Sequence, residues 1–367
     1  MRVVVVGGGY AGLSCLVRLA GRFPESVRTL VDPEDRHLKR TRLQEIVRRP
    51  LDELLVPFRE LADRFDFGIR HGRVDCRPSS LARLAREGRL PLGRRGLPFD
   101  ALVVATGIPE RAPPARAAGV QTVAGTGTAS GRNRLLRTAA RVRRGGPPMA
   151  VIGAGPTGLQ YVFELLDCGV PGPGLLLIDA RKELLPGQPQ ALRDHVMKRL
   201  DDAGVVMVPD SRMTSAGRGR LRVTGTGGRR VFEVSGALFC PGPGGRRLRA
   251  DSYGRVLFRG RPLKRVFAAG DAASWTARGQ DGRTAQAAVR KGRHVADNVR
   301  RGARGRMLQE FLTPNLGFFL SMGARDAAGW VVSPARVITG RTAAGLRDAI
   351  EYRYDLMLDG VDTFAAF

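Results

Sequence analysis

Cysteine is scarce in this sequence. Four residues, Cys15, Cys76, Cys168 and Cys240, are scattered over 367 positions. Their spacing excludes a CxxC metal or dithiol motif and a dense disulfide framework. It also suits a reducing, cytoplasmic setting. Long apolar runs are missing: nothing approaches the roughly 18 consecutive apolar residues of a membrane span. The start, four valines leading straight into glycines, does not read as a signal peptide. Aromatic residues are only 6% of the chain, which leaves little for base stacking. No helix-turn-helix, zinc or RNP motif appears, so no specific nucleic-acid partner is expected. His37, His71, His195 and His294 stand singly, each more a surface or packing residue than a base, and no metal site is expected. Lysine is rare as well, with five among 61 basic residues.

What is present is arginine, glycine and a balanced apolar content. The formal net charge is +27, with 43% hydrophobic and 26% charged residues. That is a globular composition, long enough for two or three domains. A GC-rich genome produces such an arginine skew, but the physical effect stands: the field attracts anionic surfaces or phosphate-bearing ligands.

One pattern recurs. Arg2 and four valines precede Gly7-Gly8-Gly9-Tyr10-Ala11-Gly12; Met149-Ala150-Val151-Ile152 precedes Gly153-Ala154-Gly155-Pro156-Thr157-Gly158. Gly7, Gly9 and Gly12 match Gly153, Gly155 and Gly158 at one constant offset. Each copy is a buried-strand run, a GxGxxG loop and a helical stretch (13–22 and 159–166). The first glycine permits the tight turn, the second lets the backbone approach a pyrophosphate, and the third lets the helix pack on the strand. A diphosphate then meets free N–H groups at the positive end of the helix. An acid should follow about 20 residues on, to bind a ribose hydroxyl. Asp32 and Asp179 stand there, each closing an apolar run. One GxGxxG among 48 glycines is weak; two, each with strand, helix and acid, predict two dinucleotide-binding folds.

Two such folds in one chain resemble the two-dinucleotide-domain flavoprotein superfamily that includes glutathione reductase. Other stretches agree. Phe99-Asp100-Ala101-Leu102-Val103-Val104-Ala105-Thr106-Gly107 resembles the strand where the chain leaves the FAD domain. Ala237-Leu238-Phe239-Cys240-Pro241-Gly242 resembles the return strand. Val266-Phe267-Ala268-Ala269-Gly270-Asp271 resembles the late motif whose aspartate contacts the flavin's ribityl chain. Within the superfamily the chain is most similar to type II NADH dehydrogenases and apoptosis-inducing-factor-like oxidoreductases. It lacks the dithiol of disulfide reductases and the placed cysteines of sulfide:quinone reductases. Thr284-Ala285-Gln286 matches the dehydrogenase helix beside flavin and quinone. Two positions depart: Gln160 stands where a glutamate is usual, and Arg290-Lys291 replaces a glutamine pair.

The resemblance implies an α/β fold: an FAD domain (1–110 and 237–303), an inserted NAD(P) domain (111–236) and a C-terminal tail (304–367). Arg42, in the basic run 36–49, would face the FAD phosphates, although the run reads equally as an ordinary solvated basic face. Gln160 and Gln286 are the candidate catalytic residues. The implied activity is transfer of hydride from NAD(P)H to FAD and on to a quinone or other small acceptor. Asp179 favours NADH, although Arg181 and Lys182 follow and can hold a 2′-phosphate. Two other readings stay open. One is a tailoring flavoenzyme for an anionic or carrier-bound metabolite. The other is a nucleotide-sensing flavoprotein docked on an anionic membrane, at the inner face. Oligomeric state is open, a homodimer included. In the tail, 330–332 and 337–339 read as short strands. Residues 341–358 read as a helix with Leu346, Ala349, Ile350 and Met357 on one face. The terminal Phe364-Ala365-Ala366-Phe367 suits lipid, a partner subunit or the core.

Overall fold

A computed structural model describes residues 1–94, 96–117, 119–240, 242, 244–276, 282–312 and 316–362. Pro241 and the terminal 364–367 stretch lie outside the described residues. Val3 to Val6 are all buried, so both faces of this strand are covered, as in a parallel sheet with helices on each side. Arg2–Val6 pairs in parallel with Val27–Asp32 on one side and Ala101–Val104 on the other. Gly68–His71 lies beyond Val27–Asp32, and Arg261–Ala268 beyond Ala101–Val104. Three further strands, Arg255–Phe258, Leu248–Ala250 and Ala273–Trp275, complete an eight-stranded sheet.

The second sheet repeats the plan. Met149–Ile152 is central between Leu175–Ile178 and Gly236–Phe239, with Val206–Val208 and Gln121–Thr122 outside. Both sheets have the doubly wound order in which ligands sit beyond the carboxyl ends of the central strands. An antiparallel meander, Ser211–Gly217, Arg220–Gly225 and Gly228–Glu233, covers one face of the second sheet through Met213, Leu221 and Val223.

Two sequence-based boundaries shift. The break at 236 falls on the first residue of Gly236–Phe239, which pairs with Met149–Ile152; the second domain therefore runs on through Phe239. The stretch Arg40–Val47, assigned by position to the first domain, buries Leu43, Ile46 and Val47 in the second domain's cluster with Leu135, Leu159 and Tyr161.

The tail joins both lobes. Its antiparallel sheet, Gly317–Ser321, Ala327–Val331 and Val337–Thr339, places Leu320, Met322 and Ala328 in the second lobe's cluster. Its helix, Gly340–Leu358, places Tyr354, Met357 and Leu358 in the first. The expected apolar face of that helix needs correction: Leu346 and Ala349 are exposed. Ala343, Ala344, Arg347, Tyr354, Met357 and Leu358 are the buried ones. No helix among the described residues is long and apolar enough to cross a membrane.

Candidate active site: two matched glycine loops

The two loops agree bond by bond. Gly7 and Gly153 turn the chain at φ of 105° and 108°, in the region that favours glycine. Gly7 N–H donates to Val31 O at 2.9 Å, and Gly153 N–H to Ile178 O at 2.7 Å. Gly8 N–H donates to Asp32 Oδ2 at 2.7 Å; Ala154 N–H donates to Asp179 Oδ2 at 2.6 Å. The other oxygen of each acid accepts the amide two residues on, Glu34 at 2.9 Å and Arg181 at 2.8 Å. A Cβ on Gly12 would lie 1.9 Å from Gly7 O, and one on Gly158 1.9 Å from Gly153 O. The third glycine in each copy is thus required by helix–strand contact.

The second glycines have the opposite character. Gly9 and Gly155 are helix N-caps with no side-chain cap, and nothing lies within 4 Å of a Cβ built on either. Their helices, Tyr10–Arg22 and Pro156–Asp167, leave first-turn N–H groups with no capping side chain. The helices Ala129–Arg143 and Ala285–Ala303 are instead capped by the Thr128 and Thr284 hydroxyls. Phe58–Phe65, Pro78–Glu87, Gln190–Asp202 and Gly340–Leu358 also lack a side-chain cap, so it is the glycine turn and the adjoining carboxylate that set the two loops apart. Open, uncapped, positive helix ends beside a carboxylate fit a dinucleotide diphosphate and its ribose. Each loop therefore fits one dinucleotide cofactor. Asp32 and Asp179 still have acceptor capacity, since a carboxylate offers about four lone-pair sites.

Around the first loop the other expected segments converge. Ala105 N–H donates to Val6 O at 2.7 Å and Ala269 N–H to Val104 O at 2.9 Å. A Cβ on Gly270 would sit 2.8 Å from Ala11 Cβ, and one on Gly292 2.1 Å from Ala11 O. The turn Gly270–Ala272, with Asp271, and the helix Ala285–Ala303, with Gln286, therefore close on the loop at Ala11. The two chain crossings between lobes run together. Gly107 and Gly242 both have positive φ. Arg111 N–H donates to Gly242 O at 3.4 Å, and Gly244 N–H to Pro109 O at 2.8 Å. Thr106 is exposed beside this crossing, and Pro156 and Thr157 are exposed at the second loop. Gln160 is half-buried on the helix behind that loop.

Arg42 is engaged otherwise than expected. Its Nη2 is 2.9 Å from Glu45 Oε2 and its Nε 3.2 Å from Glu351 Oε2, on the tail helix. Lys39 pairs with Asp355 of the same helix at 2.7 Å. The basic run is thus largely neutralised from within the chain. Tyr10 packs its ring against His37 and Tyr354, and its hydroxyl lies 2.8 Å from Thr41 Oγ1. Burial raises its pKa, so the phenol stays protonated. His37 Nδ1 donates to Gly8 O at 3.0 Å, and its Nε2 accepts from the Tyr354 hydroxyl at 3.3 Å. His37 and Tyr354 were not legible as site residues, for they meet across more than 300 positions. Lys291 is fully buried, with Nζ 5.6 Å from the centre of the Trp275 ring. All four cysteines are free thiols.

Similarity to known proteins agrees with this geometry. The family model for pyridine nucleotide-disulphide oxidoreductases matches residues 1–292. A type II NADH:quinone oxidoreductase of Staphylococcus epidermidis is 25% identical over 98% of this chain and 96% of its own length. That of Staphylococcus aureus is 23% identical over the same shares. Among solved structures, NDH2 of Plasmodium falciparum in complex with NADH matches at TM-score 0.80 and 10% identity, covering 99% of this chain and 98% of the other. The sulfide:quinone oxidoreductase of Aquifex aeolicus matches at 0.77 and 14%, covering 98% and 92%. The chain belongs to the pyridine nucleotide-disulphide oxidoreductase family, as a flavin- and pyridine-nucleotide-dependent oxidoreductase distantly related to the type II NADH:quinone oxidoreductases.

Proposed function

We propose that this chain uses NADH to reduce a quinone or another small acceptor by way of bound FAD. The observation that carries the reading is the bond-for-bond match of the two loops, each with an open helix end and a carboxylate. Gly9, Tyr10 and Ala11 would hold the FAD diphosphate, Asp32 its ribose, and Asp271 the chain toward the flavin ring. Gly155, Pro156 and Thr157 would hold the NADH diphosphate and Asp179 its ribose. Bound flavin supplies the redox chemistry, taking hydride and passing electrons on. The chain's own work is to bind, orient and exclude water. Gln160 keeps hydrogen-bonding capacity but carries no proton or charge. Gln286 stands at the start of the helix that closes on the first loop. A side-chain nucleophile is not needed, which agrees with the scattered free thiols. Relatives named as NADH:quinone oxidoreductases along their whole length support the quinone assignment. The charge of +27 supports peripheral contact with an anionic membrane, where such acceptors dissolve.

The test is spectroscopic. The purified protein should carry the yellow flavin band, and NADH without air should bleach it. Re-oxidation by soluble quinones should outpace re-oxidation by acidic organic compounds. A band that stays yellow under excess NADH and NADPH sinks the reading.

A further inference from the structure

The helix Pro156–Asp167 carries the second glycine loop at its start and a fully buried carboxylate, Glu164, near its end. Glu164 Oε2 accepts from Arg48 Nε at 2.8 Å, and Arg48 belongs to the stretch that follows the first ribose acid. Glu164 Oε1 is buried with no hydrogen-bond partner. Arg48 also reaches Glu45, which is 2% exposed, at 3.3 Å, and Glu45 holds Arg42, which holds Glu351. An alternating row of charges thus runs from the tail helix, through the 40–48 stretch, to the helix behind the second loop. One turn earlier on that helix, the Tyr161 hydroxyl meets Thr126 Oγ1 at 2.7 Å and Leu43 O at 3.4 Å.

Stability does not explain this arrangement. Leu43, Ile46, Val47 and Leu54 already pack with Leu135, Leu159 and Tyr161. A buried ion pair is often no better than the apolar residues that could replace it. Burial works against Glu164 ionising, with Arg48 opposing. Apolar packing is non-directional and tolerates sliding. A hydrogen-bonded ion pair inside it selects one register. At about 1.5 Å of rise per residue, Glu164 stands roughly 12 Å along the helix from Pro156. It touches no nucleotide and acts through the helix.

We propose that Glu164, held by Arg48, is a positioning residue that fixes the second nucleotide loop against the 40–48 stretch, which Arg42 and Lys39 tie to the tail helix packed on the first lobe, and so sets how the nicotinamide meets the flavin. This rests on the NADH-to-flavin reading above. A shift of about 1 Å far from the chemistry can cost on the order of a hundredfold in rate. The loop's own contacts with the dinucleotide are untouched, so affinity should hold while the rate falls.

The experiment uses the full-length, FAD-loaded protein and two variants, Glu164→Gln and the apolar pair Glu164→Leu/Arg48→Leu. Stopped-flow reduction by NADH without air gives a limiting rate and a dissociation constant. A second readout is the long-wavelength absorbance produced when a nicotinamide ring stacks on a flavin. Both variants should show the limiting rate down about tenfold or more, the stacking absorbance reduced, and the dissociation constant within about threefold. The apolar pair should melt no lower than the parent, since packing replaces the ion pair. Parent-like rate and stacking absorbance in a folded variant overturn the positioning role alone. Failure of NADH to reduce the parent's flavin overturns the functional reading and this inference with it.

Discussion

Arg181 forks onto Asp179: its Nε lies 3.1 Å from Oδ1 and its Nη2 3.2 Å from Oδ2. Burial works against ionisation of Asp179, but Arg181's side-chain and backbone N–H bonds, the Ala154 N–H bond and the Arg181 charge together outweigh it and hold the carboxyl below its usual range. The acid expected to receive the ribose 2′-OH is thus partly occupied by a cation that can itself meet a 2′-phosphate. Arg181→Ala should leave kcat/KM for NADH within about threefold and lower that for NADPH about tenfold or more, the worth of a charged hydrogen bond. Steady-state rates with both nucleotides decide it. An unchanged NADPH-to-NADH ratio removes the role given to Arg181.

Gly12 and Gly158 occupy the same tight contact in two different sites, so the same substitution should separate them. A methyl at either meets a backbone oxygen at 1.9 Å, and backbone cannot yield as a flexible side chain can. Gly12→Ala should purify with little flavin. Gly158→Ala should keep its flavin and lose NADH binding, at a stability cost of about 1–3 kcal/mol. The flavin-to-protein absorbance ratio and an NADH titration read the two outcomes. Flavin lost from Gly158→Ala but kept by Gly12→Ala would reverse the site assignment.

The elements that were legible in sequence are those whose signal is local. Gly7 to Gly12 with Asp32, and Gly153 to Gly158 with Asp179, carry strand, turn, helix and acid within about 30 residues. Arg48, Glu45 and Glu351 carry no such signal. The run 36–49 reads as a solvated basic face, yet Glu45, Ile46 and Val47 within it are buried. Arg40–Val47 is a 3-10 helix, so the 3.6-residue period that betrays a buried helical face does not apply. The tail helix misleads for a related reason. It packs on two sides, against the tail sheet through Ala343 and Ala344 and against Tyr10 through Tyr354. No single apolar stripe marks it.

Thiol chemistry gives a third prediction. Cys15 and Cys240 are buried, and that burial pushes both thiols well above their usual range. Burial also lifts Cys76, to about 11, and raises Cys168. A thiolate is the reactive form, so all four should be sluggish nucleophiles. Ellman's reagent should titrate the native protein slowly and the unfolded protein promptly. Cys76→Ser/Cys168→Ser should reduce its flavin at the parent's rate. A large loss in that variant would return the chain to the cysteine-dependent branch of its superfamily.

His37 sets a pH limit on the first loop. Burial lowers its pKa from 6.5 to about 4, with Lys39 and Arg40 adding to the effect and the Gly8 carbonyl opposing it. A histidine whose folded pKa is depressed binds its proton more readily when unfolded, so protonation favours the unfolded state. Its contribution is complete above about pH 6.5 and drains away as pH falls toward 4. For a shift of this size the linked loss is on the order of 3 kcal/mol. The cation would form between the Tyr10 and Tyr354 rings and directly under Gly8, so the first loop and the tail helix should loosen together. Melting temperatures at pH 7.5 and pH 5.0 test this, with His37→Asn as the variant, because its amide can still donate to Gly8 O. The parent should lose more melting temperature on acidification than the variant, and should release flavin over the same window. Equal losses in both proteins would place the acid-sensitive group elsewhere.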